Sequence, residues 1–408
     1  MQNLEKKGIT KKMKVITIGG ATQDIFITHK DPKMLRLYSK KTKKEFLILE
    51  EGSKIEIEGL SYHTGGGATN AGTSFSRLGF EVSTIFKIGN DIQAELVLKK
   101  LTEENVDTSH VSKTSKLHTG TSIIIPSITG DRTVLAYRGA NTQLKKADIN
   151  EPLIADCNHL YITSLSGNSA KLLPYIIKLA KKHNIPIAAN PGSSQLAAGA
   201  AELRESLKHI DIFILNSQEA NIFMHTLAQA NQQLKHQISR RRQDAVYPEQ
   251  RRGGAQAEQV ENQISVDEIA INHDQKAPQL FKSPITYQDI CFNLHSYFNE
   301  ILKRGPKIAV VTNGAEGVYV ATSKHIYFCP SIKTKVASTL GAGDAFGSCF
   351  VASIISGKSI EESIISGVIN SSSVISHLDA KTGLLSKKEL ENSLKELSAD
   401  NIEKFPLQ

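Results

Sequence analysis

Residues 336–350 read VASTLGAGDAFGSCF, in which a single acid, Asp344, follows Gly-Ala-Gly and precedes an apolar run. That run is typical of a helix, and helix N-termini present free backbone N–H groups and a partial positive charge that attract anions. Gly341 and Gly343 carry no side chain that would keep a phosphate away from those N–H groups. Asp344 is expected to be ionised at neutral pH and can accept a proton from an attacking hydroxyl. An anion cradle beside a base is what phosphoryl transfer to an alcohol requires.

Two other interpretations of this stretch stay open at this point. Asp344 could simply cap the helix, because aspartate is a preferred residue at helix N-termini. Gly341, Gly343 and Gly347 also match a variant of the dinucleotide fingerprint, which needs a βαβ unit with an acid about 20 residues on. Two glutamates in SIEESIISGVINSSSVISHL have that spacing, but the sequence around them is typical of a helix. The pattern therefore disfavours the dinucleotide interpretation.

The elements that must position this acid follow an alternating order. Short apolar runs (KVITIGG, VSTIFKIG, HLYITSL, IPIAAN, IDIFILN and KIAVVTNG) alternate with amphipathic segments such as SAKLLPYIIKLAKKHN. Apolar strands separated by amphipathic helices predict βαβ units and a largely parallel sheet that is covered on both faces. The predicted fold class is therefore α/β.

Composition and charge limit the classes of protein to be considered. Of the 408 residues, 40% are hydrophobic and 22% are charged, which is typical of a folded globular chain. The net charge of +8 comes from short, scattered basic runs without interleaved aromatics, which disfavours a nucleic-acid partner and suits acidic small molecules such as nucleoside triphosphates. No apolar stretch reaches the roughly 20 residues of a membrane span, and the four cysteines form no C-x-x-C pair. We therefore expect no membrane partner and a reducing, cytoplasmic location.

Three segments depart from the alternating order. Residues 1–12 are polar and basic and are predicted to be a flexible extension, so that Met1 and Met13 are both candidate translation starts. Residues 31–62 alternate apolar and polar positions, which predicts a small antiparallel flap with one solvated face. Residues 226–282 are rich in Gln, Arg and Ala, which predicts a low-complexity insertion that is disordered or loosely helical.

Five motifs in order along the chain resemble those of the ribokinase-like (PfkB-type) carbohydrate kinases. STLGAGDAF resembles the C-terminal signature of that family, D-T-x-G-A-G-D, and TGGGATNAGTSFSRLG is similar to its N-terminal signature. Between them lie AANPGSSQ, ILNSQEA with the N-x-x-E of the family, and VVTNGAEGVYV. Each motif alone is weak, whereas the ordered set is specific.

The resemblance implies an architecture for most of the chain. Residues 13–398 would form one three-layer, ribokinase-like kinase domain with a central, mostly parallel sheet and a small antiparallel β lid from about 31–62. The insertion at 226–282 would interrupt this domain, and residues 399–408 would form a C-terminal tail. The lid is a candidate surface for a homodimer.

The resemblance also assigns roles at the site. Asp344 would be the base, and the backbone N–H groups of Gly341, Ala342 and Gly343 would form the anion hole. Residues that would hold sugar hydroxyls are Asp24, Gly65, Gly66 and Asn70. A carboxylate and an amide suit this task because hydroxyls both donate and accept hydrogen bonds. A turn acid at Asp24 and a helix cap at Asn70 are the structural alternatives.

Mg·ATP is the implied phosphoryl donor. Asn216 and Glu219 resemble the pair that organises Mg²⁺ through water, since Mg²⁺ gives up its hydration shell reluctantly; a helix start is the alternative for both. The positions that resemble the nucleotide side of the family's site are Asn190, Asn216, Thr312, Gly314, Gly317 and Asn370. Gly314 and Gly317 could equally serve a turn between two strands.

One departure from the family pattern concerns a monovalent cation. The usual Asp that begins the last signature is Ser338 here, which puts K⁺ dependence in doubt. Arg138, in RTVLAYRGAN, is either a ligand for a carboxylate or phosphate of the substrate or a solvated strand end.

The predicted activity is ATP-dependent phosphorylation of a hydroxymethyl group of a sugar or sugar-like substrate. The alternatives are a nucleoside (adenosine-like) kinase, a sugar-phosphate kinase, and a catalytically silent sugar-binding regulator.

Overall fold

The computed structural model of the chain describes residues 12–28, 33–38, 43–127, 132–198, 200–230, 278–282, 285–287, 290–396 and 401–407. Its strands are β1 (Lys14–Ile18), β2 (Thr22–Thr28), β3 (Met34–Tyr38), β4 (Lys43–Leu47), β5 (Gly59–Gly65), β6 (Glu81–Ile85), β7 (Lys87–Gly89), β8 (Val106–Asp107), β9 (Ser112–Thr114), β10 (Gly120–Pro126), β11 (Arg132–Tyr137), β12 (His159–Ile162), β13 (Ile187–Ala189), β14 (Ile212–Asn216), β15 (Ile285–Tyr287), β16 (Ile290–Phe292), β17 (Ile308–Thr312), β18 (Gly317–Ala321), β19 (His325–Pro330) and β20 (Glu403–Pro406).

The α-helices lie between these strands along the chain. They are α1 (Gly67–Arg77), α2 (Ile92–Glu103), α3 (Glu151–Ala155), α4 (Leu173–Lys182), α5 (Ser193–Ala198), α6 (Ala200–Ser206), α7 (Ser217–Ala230), α8 (Gln279–Lys282), α9 (Leu294–Lys303), α10 (Ala342–Ile355), α11 (Ile360–Ile375) and α12 (Lys387–Glu396). Among the described residues, no helix is long and apolar enough to cross a membrane.

Ten strands form the central sheet in the order β20-β19-β18-β17-β14-β13-β12-β1-β6-β8. Every neighbouring pair from β17 to β8 is parallel, whereas the three pairs that join β17, β18, β19 and β20 are antiparallel. The α/β prediction with a mostly parallel sheet is therefore confirmed.

Helices cover both faces of this sheet, because its strands alternate apolar side chains between two cores. In β1, Val15 packs in a core with α1, α2, α10, α11 and α12, and the next residue, Ile16, packs in a core with α3 to α9. Successive side chains of a strand point to opposite faces, so a continuous apolar run buries both. The result is a three-layer arrangement.

A second, four-stranded sheet has the order β11-β10-β2-β5. Its outer pairs are antiparallel, and its central pair, β2 and β10, is parallel. Of the stretch 31–62, which was predicted to form the lid, only the start of β5 lies in this sheet, and β3 pairs with β4 in a separate hairpin. Strands β10 and β11 supply half of the sheet. Local alternation in the sequence could not reveal this, because β10 pairs with β2, which is distant in sequence.

The edges of the predicted insertion and the predicted tail belong to the folded core. Residues 231–277 lie outside the described residues, but Leu227 in α7 and Phe281 in α8 are buried in the core at either side. Within the segment predicted as a tail, β20 pairs with β19, and the Phe405 ring lies 4.6 Å from that of Phe281. Backbone pairing with an existing edge strand stabilises so short a segment, and sequence periodicity gives no sign of it.

Candidate active site

The candidate residues meet where the strand order of the central sheet reverses. The chain runs outward from β1 through β6 to β8 on one side, and from β12 through β13 and β14 to β17 on the other. Ligands of open α/β sheets bind in the crevice at the carboxyl ends of the strands at such a point. The backbone closes tightly there, because a Cβ on Gly19 would lie 1.8 Å from the Thr163 hydroxyl.

The start of α1 forms one wall of the crevice. Gly66 is the N-cap of α1 with φ 96°, a conformation that favours glycine. A Cβ on Gly65 would lie 1.9 Å from Oδ2 of Asp24, so the absence of a side chain makes room for that carboxylate. Asp24 lies within β2 rather than in a turn, and its Oδ1 accepts a hydrogen bond from the Thr22 hydroxyl at 2.9 Å.

The start of α10 forms the facing wall. Gly341 is the N-cap with φ 77°, and a Cβ there would lie 2.4 Å from that of Ala380. A Cβ on Gly343 would meet no atom within 4 Å, so the backbone of this first turn is open to a ligand. Asp344 lies inside the helix and makes no capping bond, so the capping alternative is wrong.

The dinucleotide alternative is also wrong. Helix α10 is followed by helix α11, and the two glutamates lie in the first turn of α11 instead of at a strand end. Gly347 packs against the sheet, because a Cβ on it would lie 2.5 Å from the Tyr161 hydroxyl. Its lack of a side chain therefore serves helix–sheet contact.

A chain of hydrogen bonds joins the two walls. Asn70 Nδ2 donates to Asp344 Oδ2 at 2.8 Å, and Asn70 Oδ1 accepts from Lys381 Nζ at 2.6 Å. Asn70 lies one turn into α1 and does not cap it. Lys381, in the segment between α11 and α12, is therefore a central member of the site.

The three carboxylic acids of the site, Asp344, Asp24 and Glu219, have raised pKa values. Burial raises the pKa of Asp344, the Asn70 amide and Lys381 lower it, and the charge of Asp24 raises it further. Burial likewise raises the pKa of Asp24, against the Thr22 hydroxyl and Lys381. Burial raises the pKa of Glu219, and the charge of Asp344 adds to that effect. Raised carboxylate pKa values in a crevice mark candidate catalytic groups.

The strand ends on the other side of the switch point carry the nucleotide-side candidates in a row. Asn190, Asn216 and Thr312 follow or end β13, β14 and β17, which are neighbours in the sheet, and Asn216 pairs with Thr312 in register. Asn190 Nδ2 donates to the carbonyl of Ile214 at 3.3 Å.

Asn216 and Glu219 cap α7 reciprocally. Asn216 Oδ1 accepts from the Glu219 backbone N–H at 2.8 Å, and the Glu219 carboxylate accepts from the Asn216 backbone N–H at 3.0 Å. The capping alternative therefore accounts for these two hydrogen bonds, which also fix the Glu219 carboxylate at the start of α7.

Four candidates do not join the central cluster. Gly314 (φ 54°) and Gly317 (φ 135°) shape the turn between β17 and β18, and a Cβ on Gly317 would lie 2.2 Å from the Cys329 carbonyl oxygen. Asn370 is fully buried, with its amide bonded to the Ala345 carbonyl at 3.0 Å and to the Leu385 N–H at 2.9 Å. Its place in the structure is that of a brace behind α10, because both polar ends of the amide are bonded to backbone. The fourth candidate, Arg138, has an exposed side chain that follows β11.

Two residues near the site were missed by sequence reasoning. Lys381 lies in the polar string LDAKTG, where no periodicity separates it from a solvated loop lysine. The Arg132 guanidinium donates to the Thr339 hydroxyl and so connects the four-stranded sheet β11-β10-β2-β5, called the lid sheet from here on, to the segment before α10. Alternation along β11 gives no sign of this contact, because Thr339 is remote in sequence.

A comparison with known families identifies the chain. The profile described as pfkB family carbohydrate kinase matches residues 33–247 and 292–387. The chain belongs to this family. It is an ATP-dependent carbohydrate kinase, as the ordered motifs predicted.

Curated relatives match this kinase at low sequence identity but over most of its length. A ribokinase of Staphylococcus aureus (strain COL) is 23% identical over 315 residues, covering 76% of this chain and 82% of that protein. A 5-dehydro-2-deoxygluconokinase of Bacillus licheniformis is 22% identical over 341 residues, covering 81% of this chain and 86% of that protein.

Solved structures confirm the predicted ribokinase-like fold of the kinase. An Arabidopsis thaliana ribokinase, complexed with ribose and ATP, has a TM-score of 0.65 at 16% identity, covering 95% of this chain and 100% of that chain. A Methanocaldococcus jannaschii nucleoside kinase has a TM-score of 0.63 at 16% identity, covering 95% of this chain and 99% of that chain.

We predict that Gly65→Ala weakens sugar binding by this kinase. The added Cβ would force the Asp24 carboxylate to move, and a lost hydrogen bond to a charged group costs about 1.5–3 kcal/mol, or roughly 10- to 100-fold in sugar KM. Gly59→Ala, at the far end of β5, is the control, because its Cβ would have no neighbour nearer than 3.3 Å. Steady-state kinetics should give an unchanged KM for ATP in both variants; an unchanged sugar KM in Gly65→Ala would contradict the role of Asp24.

Proposed function

We propose that this kinase transfers the γ-phosphoryl group of ATP to a hydroxymethyl group of an uncharged sugar or sugar-like substrate, with Asp344 as general base. The observation that carries the proposal is the position of Asp344, in the first turn of α10 and hydrogen-bonded to Asn70 across the crevice from Asp24. A base must be fixed next to the hydroxyl that it deprotonates.

The sugar lies, in this proposal, between the start of α1 and the end of β2. Asp24 accepts hydrogen bonds from sugar hydroxyls, and the backbone at Gly65 and Gly66 contacts the ring closely because no side chain intervenes. Asn70 Nδ2 holds Oδ2 of Asp344. We assign the other oxygen, Oδ1, to accept the proton of the reacting hydroxymethyl group. The hydroxyl oxygen then bonds to the γ-phosphorus as the bond from that phosphorus to ADP breaks and ADP leaves.

The backbone of Gly341, Ala342 and Gly343 is proposed as the anion hole. A helix N-terminus with unobstructed N–H groups stabilises the charge on the transferred phosphoryl group without rearrangement. Support comes from the left-handed conformation of Gly341 and the open space beside Gly343.

Mg²⁺ would be held on the nucleotide side. The described residues contain no group of three or more His, Cys, Asp or Glu side chains that could hold a metal ion. The charge of Asp344 contributes to the raised pKa of Glu219, so a cation near Glu219 would be favoured. This arrangement fits an ion that keeps water and phosphate ligands. When bound with ATP, Mg²⁺ would neutralise phosphate charge, while Asn216 fixes Glu219.

An uncharged substrate is favoured by the charges near Asp344. Two carboxylates, Asp24 and Asp344, face one ammonium, Lys381, whose three donors all bond to protein. Arg138, the candidate ligand for a carboxylate or phosphate of the substrate, has an exposed side chain after β11. This balance disfavours a sugar-phosphate kinase, whereas the nucleoside kinase stays an alternative because a nucleoside is also uncharged.

The catalytically silent regulator is disfavoured, because the chain belongs to a family of ATP-dependent carbohydrate kinases. ADP release over a panel of sugars, nucleosides and sugar phosphates identifies which of these substrates the kinase phosphorylates. A joined Asn70–Asp344 pair at an open helix start supports an active enzyme.

We predict that Asp344→Asn abolishes turnover and preserves the fold. The amide is isosteric and cannot accept the proton, and removing a general base costs about 10² to 10⁴ in rate. The measurements are kcat with the preferred sugar and calorimetric binding of Mg·ATP, which should be retained. Near-normal kcat would show that Asp344 is not the base.

We also propose that K⁺ is not required. Ser338 is buried, and its hydroxyl oxygen accepts a hydrogen bond from the Leu340 N–H at 3.2 Å. A neutral hydroxyl in place of a carboxylate removes most of the attraction for a cation. We predict that kcat changes less than about twofold when K⁺ is replaced by tetramethylammonium at constant ionic strength. Such a change is energetically small, because about 1.4 kcal/mol corresponds to tenfold. Several-fold activation by K⁺ would refute the proposal.

The lid sheet is our proposed homodimer surface. Leu60 and Tyr62 of β5 and Leu135 and Tyr137 of β11 are each between 47% and 60% exposed. Residues two apart in a strand share a face, and apolar side chains grouped on one element are typical of association surfaces. A second copy supplies a matching apolar face in a two-fold symmetric contact.

Light scattering tests this proposal. We predict a mass of twice 44.6 kDa for the unmodified chain and a shift toward the monomer for Leu135→Lys, because a charge would be buried. Ile92→Lys, at an exposed apolar position outside the lid sheet, is the control and should stay dimeric. A monomeric unmodified chain at micromolar concentration would contradict the proposal.

We also place the kinase in the reducing cytoplasm, without a nucleic-acid partner. Cys157, Cys329 and Cys349 are buried free thiols, and burial raises the pKa of Cys157 and of Cys349 to about 12. Thiols so protected do not form disulfides readily. The basic residues are scattered along the chain in short runs.

A further inference from the structure

Lys381 is a buried ammonium group between the two walls of the crevice. Its exposed fraction is 2%. Nζ donates to the Thr64 carbonyl oxygen at 2.6 Å, to the Thr69 hydroxyl at 3.0 Å and to Asn70 Oδ1 at 2.6 Å. An ammonium has three donors, so all of them are used within the protein. Lys381 therefore cannot contact the substrate without giving up a bond to α1 or to β5.

The backbone of Lys381 is held as firmly as its side chain. Its N–H donates to Asp379 Oδ1 at 2.8 Å, and its carbonyl accepts from Arg77 Nη1 at 2.9 Å. Arg77 is fixed in turn by an ion pair with Glu104 at 2.7 Å. The C-terminal end of α1 and the segment after α11 thus place Lys381 at a defined distance from Asn70.

We propose that Lys381 is a positioning residue that orients the Asn70 amide and keeps Asp344 in its carboxylate form. The proposal rests on the assignment of Asp344 as the base, made above. It adds a residue that acts through Asn70 rather than by contact with the sugar or with ATP.

The orientation of Asn70 follows from the donors on its two sides. With Oδ1 toward Lys381, the amide NH₂ group faces Asp344 and donates to it. The reverse orientation would place the NH₂ group against an ammonium and the amide oxygen against a carboxylate, so both contacts would be repulsive. Lys381 therefore selects the orientation in which Asn70 holds the base.

The charge of Lys381 acts on the base as well. A nearby positive charge favours the ionised form of a carboxyl group, and an opposite charge within about 4–6 Å lowers a carboxyl pKa by roughly one to three units. For Asp344, this attraction opposes the effect of burial and the repulsion from Asp24. Without the ammonium, two buried carboxylates would share the crevice uncompensated, and Asp344 would become protonated at a higher pH.

Lys381 itself titrates in a range that experiments can reach. Burial lowers its pKa to about 8, although neighbouring carboxylates partly offset this. The charged and titratable groups around it are Asp24 on β2, Asp344 on α10, Asp379 in its own segment, Glu104 after α2, Arg77 on α1, and His63 on β5, whose Nδ1 lies 3.6 Å from Asp379. Below about pH 8 the ammonium is charged, so its support for the Asp344 carboxylate is present in the neutral and acidic range in which that carboxyl group takes up its proton.

The test compares pH profiles of kcat/KM for the unmodified kinase, Lys381→Met, Lys381→Gln, Lys99→Met and Asp344→Asn. Met keeps the length of the side chain without charge or donors, and Gln keeps donors without the charge. Lys99→Met is the matched control, because Lys99 is exposed on α2 and lines the cavity beside Lys381. Melting curves and Mg·ATP binding establish that each variant is folded.

We expect the acidic limb of the profile to move up by about one pH unit or more in Lys381→Met. The activity of Lys381→Met should approach that of the unmodified kinase toward about pH 9, because Asp344 is ionised there in both and Lys381 has lost its own charge. Lys381→Gln should show the same upward move of the acidic limb as Lys381→Met, and its sugar KM should rise less than that of Lys381→Met. Lys99→Met should match the unmodified profile.

Several outcomes overturn the inference. A folded Lys381→Met with an unchanged acidic limb would show that Lys381 does not act on the base, and equal loss of activity at every pH would indicate a purely structural role. If Asp344→Asn stays active, the proposed base is wrong; if it is inactive while Lys381→Met has the unmodified profile, only the role of Lys381 is wrong. If neither Lys381 variant folds, Asn70→Ala is measured instead, and an acidic limb unchanged from that of the unmodified kinase would overturn the inference, because Lys381 is proposed to act through Asn70.

Discussion

The hydrogen bond between Asn70 and Asp344 is the contact on which the rest of the site depends. It joins the first turns of α1 and α10, two helices that pack on the same face of the sheet yet are far apart in sequence. Glycines lie at or just before the start of each helix, and their missing side chains let neighbouring groups come close. Gly65 leaves space for the Asp24 carboxylate, and Gly341 leaves space for Ala380. The proposed chemistry depends on two positive helix ends and two carboxylates, which the fold brings into one crevice.

Such a crevice carries an electrostatic cost. Burial and mutual repulsion raise the pKa of both Asp24 and Asp344. A buried ammonium offsets the repulsion, and its own burial lowers its pKa to about 8. The three groups are thus interdependent: each is tolerated at its depth because the others are there. In buried networks of this kind, full satisfaction of the hydrogen-bonding groups is what makes the arrangement rigid.

The architecture separates two tasks. The parallel strands present a row of side chains at their carboxyl ends, where Asn190, Asn216 and Thr312 line up because their strands are neighbours. The four-stranded sheet stands outside the three layers and supplies Asp24 and Gly65 from β2 and β5. The proposed sugar-side groups therefore lie on an element distinct from the one that carries the proposed nucleotide-side groups.

Much of this protein was determined by the sequence alone. The alternation of apolar strands with amphipathic helices predicted an α/β fold, and the order of five motifs predicted the family, because both signals are local and survive at low identity. Asp344 could be singled out for the same reason, since its glycine neighbours are adjacent in the chain.

Tertiary structure decided the rest, because it depends on contacts between distant segments. Half of the lid sheet comes from residues 120–137, Phe405 joins a core that its own segment does not predict, and Asn370 turns its amide to the backbone of two other segments. Lys381 is the clearest case. In the string LDAKTG it is an ordinary loop lysine, and only the fold removes its ammonium from water and sets it beside Asn70, where the low dielectric strengthens its attraction for nearby carboxylates.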